Sequence, residues 1–208
     1  MKKNDLIKQF SSPGGEYRGK PFWSWNGELE AEELKRQVGV MKEMGLGGYF
    51  MHSRAGLITE YLGKEWFDLI NSTADEGERL GMESWLYDED RWPSGSAGGK
   101  VTVDPQYRMK SLYVFESSPD KFESADDTFA VFEAELDGLK LGQYKQISEE
   151  DVKNVPSGKK ILHFRIIPDK PSSGFNGTTY IDTMSTAAVD KFIELTHEQY
   201  KEKCGDRL

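Results

Sequence analysis

The chain lacks the features of three common classes of protein. Its one cysteine, Cys204, cannot close an internal disulfide, and no Cys/His spacing resembles a zinc site. No apolar run reaches the roughly 18 residues that cross a membrane, and the mean hydropathy is −0.67. The N-terminus has no continuous apolar stretch of the kind found in signal peptides. We therefore expect a soluble, cytoplasmic protein with no membrane partner.

An excess of basic residues is missing too. Lysine and arginine number 27 and aspartate and glutamate 36, which gives a net charge of −9. Nucleic-acid binders carry the opposite charge balance on their binding face. We therefore expect no nucleic-acid partner.

Short apolar segments alternate with helical patterns. Segments 20–26, 46–52 and 82–87 suit buried strands, and Glu30–Met44 and Lys64–Leu80 have apolar residues at helical spacing. Later, Thr178–Met184 resembles a strand, Ser185 or Thr186 an N-cap and residues 187–203 a helix. Strand–helix units at this pace predict parallel α/β architecture.

Residues 105–176 interrupt this rhythm. They contain three β-rich segments, 110–116, 128–136 and 160–167, separated by turn residues. We predict three β/α units at 1–104, an antiparallel β insertion at 105–176 and a fourth β/α unit at 177–208. A complete (β/α)8 barrel needs about 200 to 250 residues, so 208 residues with an insertion cannot hold one.

Polar and aromatic residues follow each predicted strand, where parallel α/β folds bind ligands. Tryptophan and tyrosine faces suit the apolar face of a sugar ring, and polar side chains suit its hydroxyl groups. The alternative for any one of them is a structural role, such as a tryptophan in the core. The candidate substrate-binding residues are Trp23, Trp25, Asn26, His52, Arg54, Asp88, Glu89, Asp90, Trp92 and Asp182.

The run Asp88-Glu89-Asp90 is the sharpest of these features. Crowded carboxyl groups raise at least one pKa, which suits proton transfer, so Asp88 and Glu89 are the catalytic candidates. The alternatives are a solvated acidic turn paired with Arg91 and a Ca²⁺ site, which adjacent carboxylates suit. We otherwise expect no metal or cofactor. His163, His197 and Cys204 are interpreted as structural.

Three stretches carry a family resemblance. PFWSWNG with the residues up to Arg54, WLYDEDRWPSG, and THEQY near the end resemble glycoside hydrolase family 106, the α-L-rhamnosidase type. The resemblance implies a TIM-type (β/α)8 barrel that cleaves O-glycosidic bonds, of which this chain would form a partial barrel of about four units. It implies that the candidate residues above, apart from Asp182, line a sugar pocket. It also implies catalytic carboxylates in later strands, beyond Leu208. Since glycoside hydrolysis generally requires two carboxyl groups, the chain is expected to be incomplete as a catalyst.

Three hypotheses remain open at this point. The first is the N-terminal half of a glycosidase barrel, with its C-terminal half missing. The second is a non-catalytic, carbohydrate-binding half-barrel that forms a homodimer. The third is an enzyme that uses Asp88 or Glu89 with Asp182 across such a dimer.

Overall fold

The structure is a computed structural model that describes residues 3–90, 92–175 and 177–205. The chain divides into two compact units, one of residues 1–107 and 171–208 and one of residues 108–170. The β insertion predicted from the sequence has similar limits, 105 and 176. In the part of the chain that is described, no helix is long and apolar enough to cross a membrane.

Five helices and seven strands are described, besides short 3-10 turns. In chain order they are α1 (Lys3–Ser11), β1 (Phe22–Gly27), α2 (Ala31–Glu43), β2 (Gly48–Leu57), α3 (Lys64–Leu80), β3 (Glu83–Leu86), β4 (Lys110–Ser117), β5 (Thr128–Asp137), β6 (Lys140–Ile147), β7 (Lys160–Pro168), α4 (Thr186–Leu195) and α5 (His197–Cys204).

The first unit contains a three-stranded parallel sheet in the order β1-β2-β3. Phe22 pairs with Phe50 at the start of β1, and Phe50 pairs in turn with Trp85 of β3. Helices α2 and α3 connect these strands, so the predicted mixed α/β class with a parallel sheet and a separate antiparallel sheet is confirmed.

Both connecting helices form where the periodicity predicts them. In α3, Trp66, Ile70 and Thr73 are fully buried, because helical spacing puts them on one face. The helix ends at Gly81, whose φ of 61° is left-handed, a conformation that costs glycine little. Helix α2 buries Leu34, Val38 and Met41 in the same way. These two faces supply nearly half of the buried residues in the core under the sheet.

The fourth β/α unit predicted from the sequence does not form a strand. Within 178–184 the structure has isolated bridge residues at Thr178, which pairs with Ser172, and at Ile181, followed by a turn. Ile181 packs with Ala97, Val101 and Phe192, so its apolar character serves loop packing rather than a sheet. The described residues therefore show a three-stranded sheet, and they do not show a four-unit partial barrel.

The predicted C-terminal helix is broken in two. Ser185 caps α4 by accepting a hydrogen bond from the backbone of Ala188, as the sequence indicates. Thr196 then leaves helical geometry, with φ −117° and ψ −81°, and α5 starts at His197. The Thr196 hydroxyl donates to the Phe192 carbonyl at 2.6 Å. This break decides where the His197 side chain lies.

The second unit is an antiparallel sheet in the order β4-β7-β5-β6. Its core is small, with Val131, Val152 and Ile161 buried together. Strand β6 was not anticipated, because it is almost wholly exposed and lacks an apolar run. It pairs with β5 at the edge of the sheet.

His163 makes the stability of this unit sensitive to pH. It is 5% exposed on β7, with Nε2 2.7 Å from the Thr128 hydroxyl. Burial lowers the pKa of His163 below its ordinary value of 6.5. The unfolded chain then binds the proton more readily, so the free energy of unfolding falls as the pH drops through about 6.5. His163→Gln removes the side chain that takes up this proton.

The measurement is a urea titration of the whole chain at pH 7.5 and 5.5, followed by NMR signals of residues 108–170. We expect a smaller loss of stability at pH 5.5 in His163→Gln than in the wild type. An equal loss in the two proteins would contradict the assignment to His163.

Candidate functional site

The two faces of the parallel sheet differ in what covers them. Trp23 and Trp25 lie on the face packed against the helices, because side chains alternate along a strand. Trp25 is 1% exposed, and the Trp23 indole donates to Gln37 of α2 at 2.8 Å. Both tryptophans belong to the core cluster and its border. The prediction that they stack on sugar is corrected: they serve packing.

An open cleft lies on the other face, level with the carboxyl end of β3. It has a volume of about 510 Å³ and is lined by Phe22, Ser24, His52, Arg54, Tyr87 and Trp92. We call this the aromatic cleft. The His52 and Tyr87 rings are 3.9 Å apart between centroids, and Phe22 contacts both. Trp92 is 72% exposed, so its ring is free to contact a ligand.

Asp88 faces a different pocket. Its carboxylate accepts from the Ser94 hydroxyl at 2.6 Å, and its other oxygen is 3.3 Å from Nε2 of His197. These groups border a second open pocket of about 540 Å³, the α5 pocket, whose lining residues are Leu86, Tyr87, Asp88, His197, Tyr200, Lys201 and Gly205. Tyr87 lines both pockets, so they adjoin.

The His197 ring lies between two oxygen partners. Its Nδ1 is 3.0 Å from the Thr196 hydroxyl, which itself donates to the Phe192 carbonyl. Its Nε2 faces the Asp88 carboxylate at 3.3 Å. These contacts hold the ring at the border of the α5 pocket.

Glu89 is fully buried within its own loop. Its carboxylate accepts hydrogen bonds from the Ser96 hydroxyl and from five backbone N–H groups at 2.5–2.9 Å, those of Asp90, Gly95, Ser96, Ala97 and Gly98. Burial raises the pKa of Glu89, and several of these N–H groups act against the rise. Burial, rather than crowding by Asp88 and Asp90, is thus the main cause. Glu89 holds the loop and is not placed to transfer a proton.

The Asp90 carboxylate also has a hydrogen-bond partner within the protein. It is half-buried, and it accepts a hydrogen bond from the Ser53 hydroxyl of β2. The acidic run is thus divided among three structural partners rather than gathered at one catalytic point. Together these contacts hold the loop that carries Trp92 to the aromatic cleft. Arg91, the alternative partner in the sequence, lies outside the described residues.

The remaining candidates are spread out. Asn26 is exposed at the end of β1. Asp182 lies in the turn before α4, where its carboxylate accepts from the Met184 backbone at 3.1 Å. Among the described residues, no three His, Cys, Asp or Glu side chains are close enough to hold a metal ion. The lone pairs of Glu89 are occupied by donors, so the described acidic run does not fit the Ca²⁺ alternative.

Sequence reasoning missed Tyr87, Phe22 and His197. Tyr87 has the same strand parity as His52 and Phe22 across the sheet, and counting that parity could have placed it in the cleft. His197 is far from Asp88 in sequence, and the break at Thr196 brings it near. No local signal indicates that contact.

No protein-family model matches the chain. A Formosa agariphila protein named "Putative beta-glucuronidase" is 25% identical over 118 residues, which is 54% of this chain and 10% of that protein. A solved rhamnosidase from Novosphingobium sp. PP1Y aligns at 24% identity with a TM-score of 0.43, over 54% of this chain and 11% of its own. The chain thus spans about a tenth of the curated relative it matches.

Proposed function

We propose that the chain is the sugar-binding part of a glycoside hydrolase, with the aromatic cleft as its sugar site. The aromatic cleft itself carries the proposal: Trp92 and Tyr87, which follow β3, meet Ser24, His52 and Arg54 of β1 and β2. Aromatic rings suit the apolar face of a pyranose, and the polar groups suit its hydroxyls. The similarity to a protein named as a glucuronidase supports the glycosidase class.

The acidic run has a supporting role in this proposal. Glu89 and Asp90 hold the loop from inside, and Asp88 ties it to His197. Trp92, on the same loop, is thereby presented to the sugar. Asp88 is the candidate that retains access to a ligand, since it borders the α5 pocket next to the cleft. Hydrolysis requires a second carboxyl group across the scissile bond, which we propose is supplied from outside this chain.

Indole N–H signals in NMR spectra test the proposal directly. Trp92 is exposed at the cleft, whereas Trp25 and Trp66 are buried, so the chain contains its own controls. We expect saturable shifts of the Trp92 signal on titration with D-glucuronate, D-glucose or L-rhamnose, the last because of the resemblance to family 106. The Trp25 and Trp66 signals should stay in place. No shift with any sugar would contradict a sugar site.

Aryl glycosides extend the same test to catalysis. We expect the chain to bind them without turnover. Turnover that disappears on dilution would instead favour the dimeric enzyme, because a site shared between two copies is lost when they separate.

A further inference from the structure

Arg54 stands apart from the other arginines of the described chain. Residues 3–90, 92–175 and 177–205 contain six arginines, and five of them have a partner: Arg18, Arg36, Arg79, Arg108 and Arg165. Arg54 has neither a hydrogen bond nor an ion pair with any described residue. Its guanidinium is therefore available to an external anion.

The position of this guanidinium is informative. Arg54 lies near the end of β2 and lines the aromatic cleft with His52, Tyr87 and Trp92. It is the one described lining residue with a permanent charge, and that charge is positive in a chain of net charge −9. A lone cation beside aromatic rings in an acidic protein favours an anionic group on the ligand.

We propose that Arg54 binds the carboxylate of a uronic acid, so that acidic sugars are the substrate class of the aromatic cleft. The inference rests on the proposed function and deepens it. A guanidinium presents paired N–H donors that match the two oxygens of a carboxylate. The ring of the same sugar would contact Trp92, as any pyranose would. A neutral sugar would use the rings and leave Arg54 unpaired.

The test compares sugars that differ only in the acid group. D-glucuronate and D-galacturonate are titrated beside D-glucose and D-galactose in low salt, with the Trp92 indole signal as readout. We expect the acids to bind at least about tenfold more tightly, the usual strength of one charge-assisted contact. The preference should shrink in 0.5 M salt, because salt screens exposed charges.

Variants assign the preference to Arg54. Arg54→Gln should bring the ratio of acid to neutral affinity to about one, because the acids lose their charged partner. Arg54→Lys keeps the positive charge but loses the paired N–H donors of the guanidinium, so it should retain part of the preference for acidic sugars. Lys42→Gln removes the same charge from an exposed position at the end of α2 and should retain all of it. Because Arg54 is exposed, these variants are expected to fold.

The possible results separate the two proposals. If neutral sugars bind as tightly as the acids, or if Arg54→Gln keeps the preference, the role of Arg54 is overturned while the sugar site stands. If neither these four sugars nor L-rhamnose binds, the proposed function itself fails.

Discussion

Replacing Glu89 with glutamine will lower the free energy of unfolding by about 3 kcal/mol or more, the cost of disrupting a buried charged network. Both carboxylate oxygens accept backbone N–H groups: Oε1 from Asp90 and Gly98, Oε2 from Gly95, Ser96 and Ala97. Whichever way the glutamine amide turns, its NH₂ group faces at least two donors. Buried N–H groups that lose their acceptor carry the full cost of desolvation.

Urea unfolding of the first unit, followed by tryptophan fluorescence, measures this cost, because all five tryptophans lie in that unit. Glu28→Gln is the matched control, since Glu28 is exposed. It should change stability by less than about 0.5 kcal/mol. If Glu89→Gln costs no more than the control, the described hydrogen bonds do not hold the loop.

The sequence predicts those helices and strands that depend on interactions between residues close together in the chain. Helix α3 runs from Lys64 to Leu80 as the periodicity predicts, because its buried face and its Gly81 stop are both local. The break at Thr196 was not predicted, because residues 187–203 keep helical spacing across it. Strand β6 was not predicted either, since an exposed edge strand owes its pairing to β5 rather than to its own apolar residues.

In the candidate site, too, one part could be predicted from the sequence and another part could not. Carboxylates after β3 could be read from the sequence, but their partners could not. The Glu89 acceptors are filled by N–H groups of its own loop, and Asp90 meets Ser53 from another strand. Such contacts depend on how the loop folds back. Arg54 and Trp92 remain candidates for ligand binding because the described structure leaves their side chains available.

Trp25 and Trp92 are both predicted from the sequence to bind sugar, but truncating them should affect different properties: stability for Trp25 and sugar affinity for Trp92. Trp25→Ala should lower the free energy of unfolding by about 3–5 kcal/mol, the usual cost of removing a large buried side chain. The Trp25 ring packs edge-to-face on Trp23 and Trp66, at centroid distances of 5.4 and 5.2 Å. Its indole nitrogen has no hydrogen-bond partner among the described residues. Trp25→Phe should therefore cost much less than Trp25→Ala.

Trp92→Ala should leave stability within about 0.5 kcal/mol of the wild type, because the side chain is mostly exposed. Its effect should appear in sugar affinity instead, which we expect to fall about tenfold with the loss of a stacking surface. Tyr17→Ala, another exposed aromatic truncation at 76% exposure, should change neither quantity. Urea midpoints of the three alanine variants, with sugar titrations followed by backbone amide signals of His52 and Tyr87 instead of the Trp92 indole, provide the comparison. A stable Trp25→Ala with weakened sugar binding would instead place the sugar on the helix-covered face of the sheet.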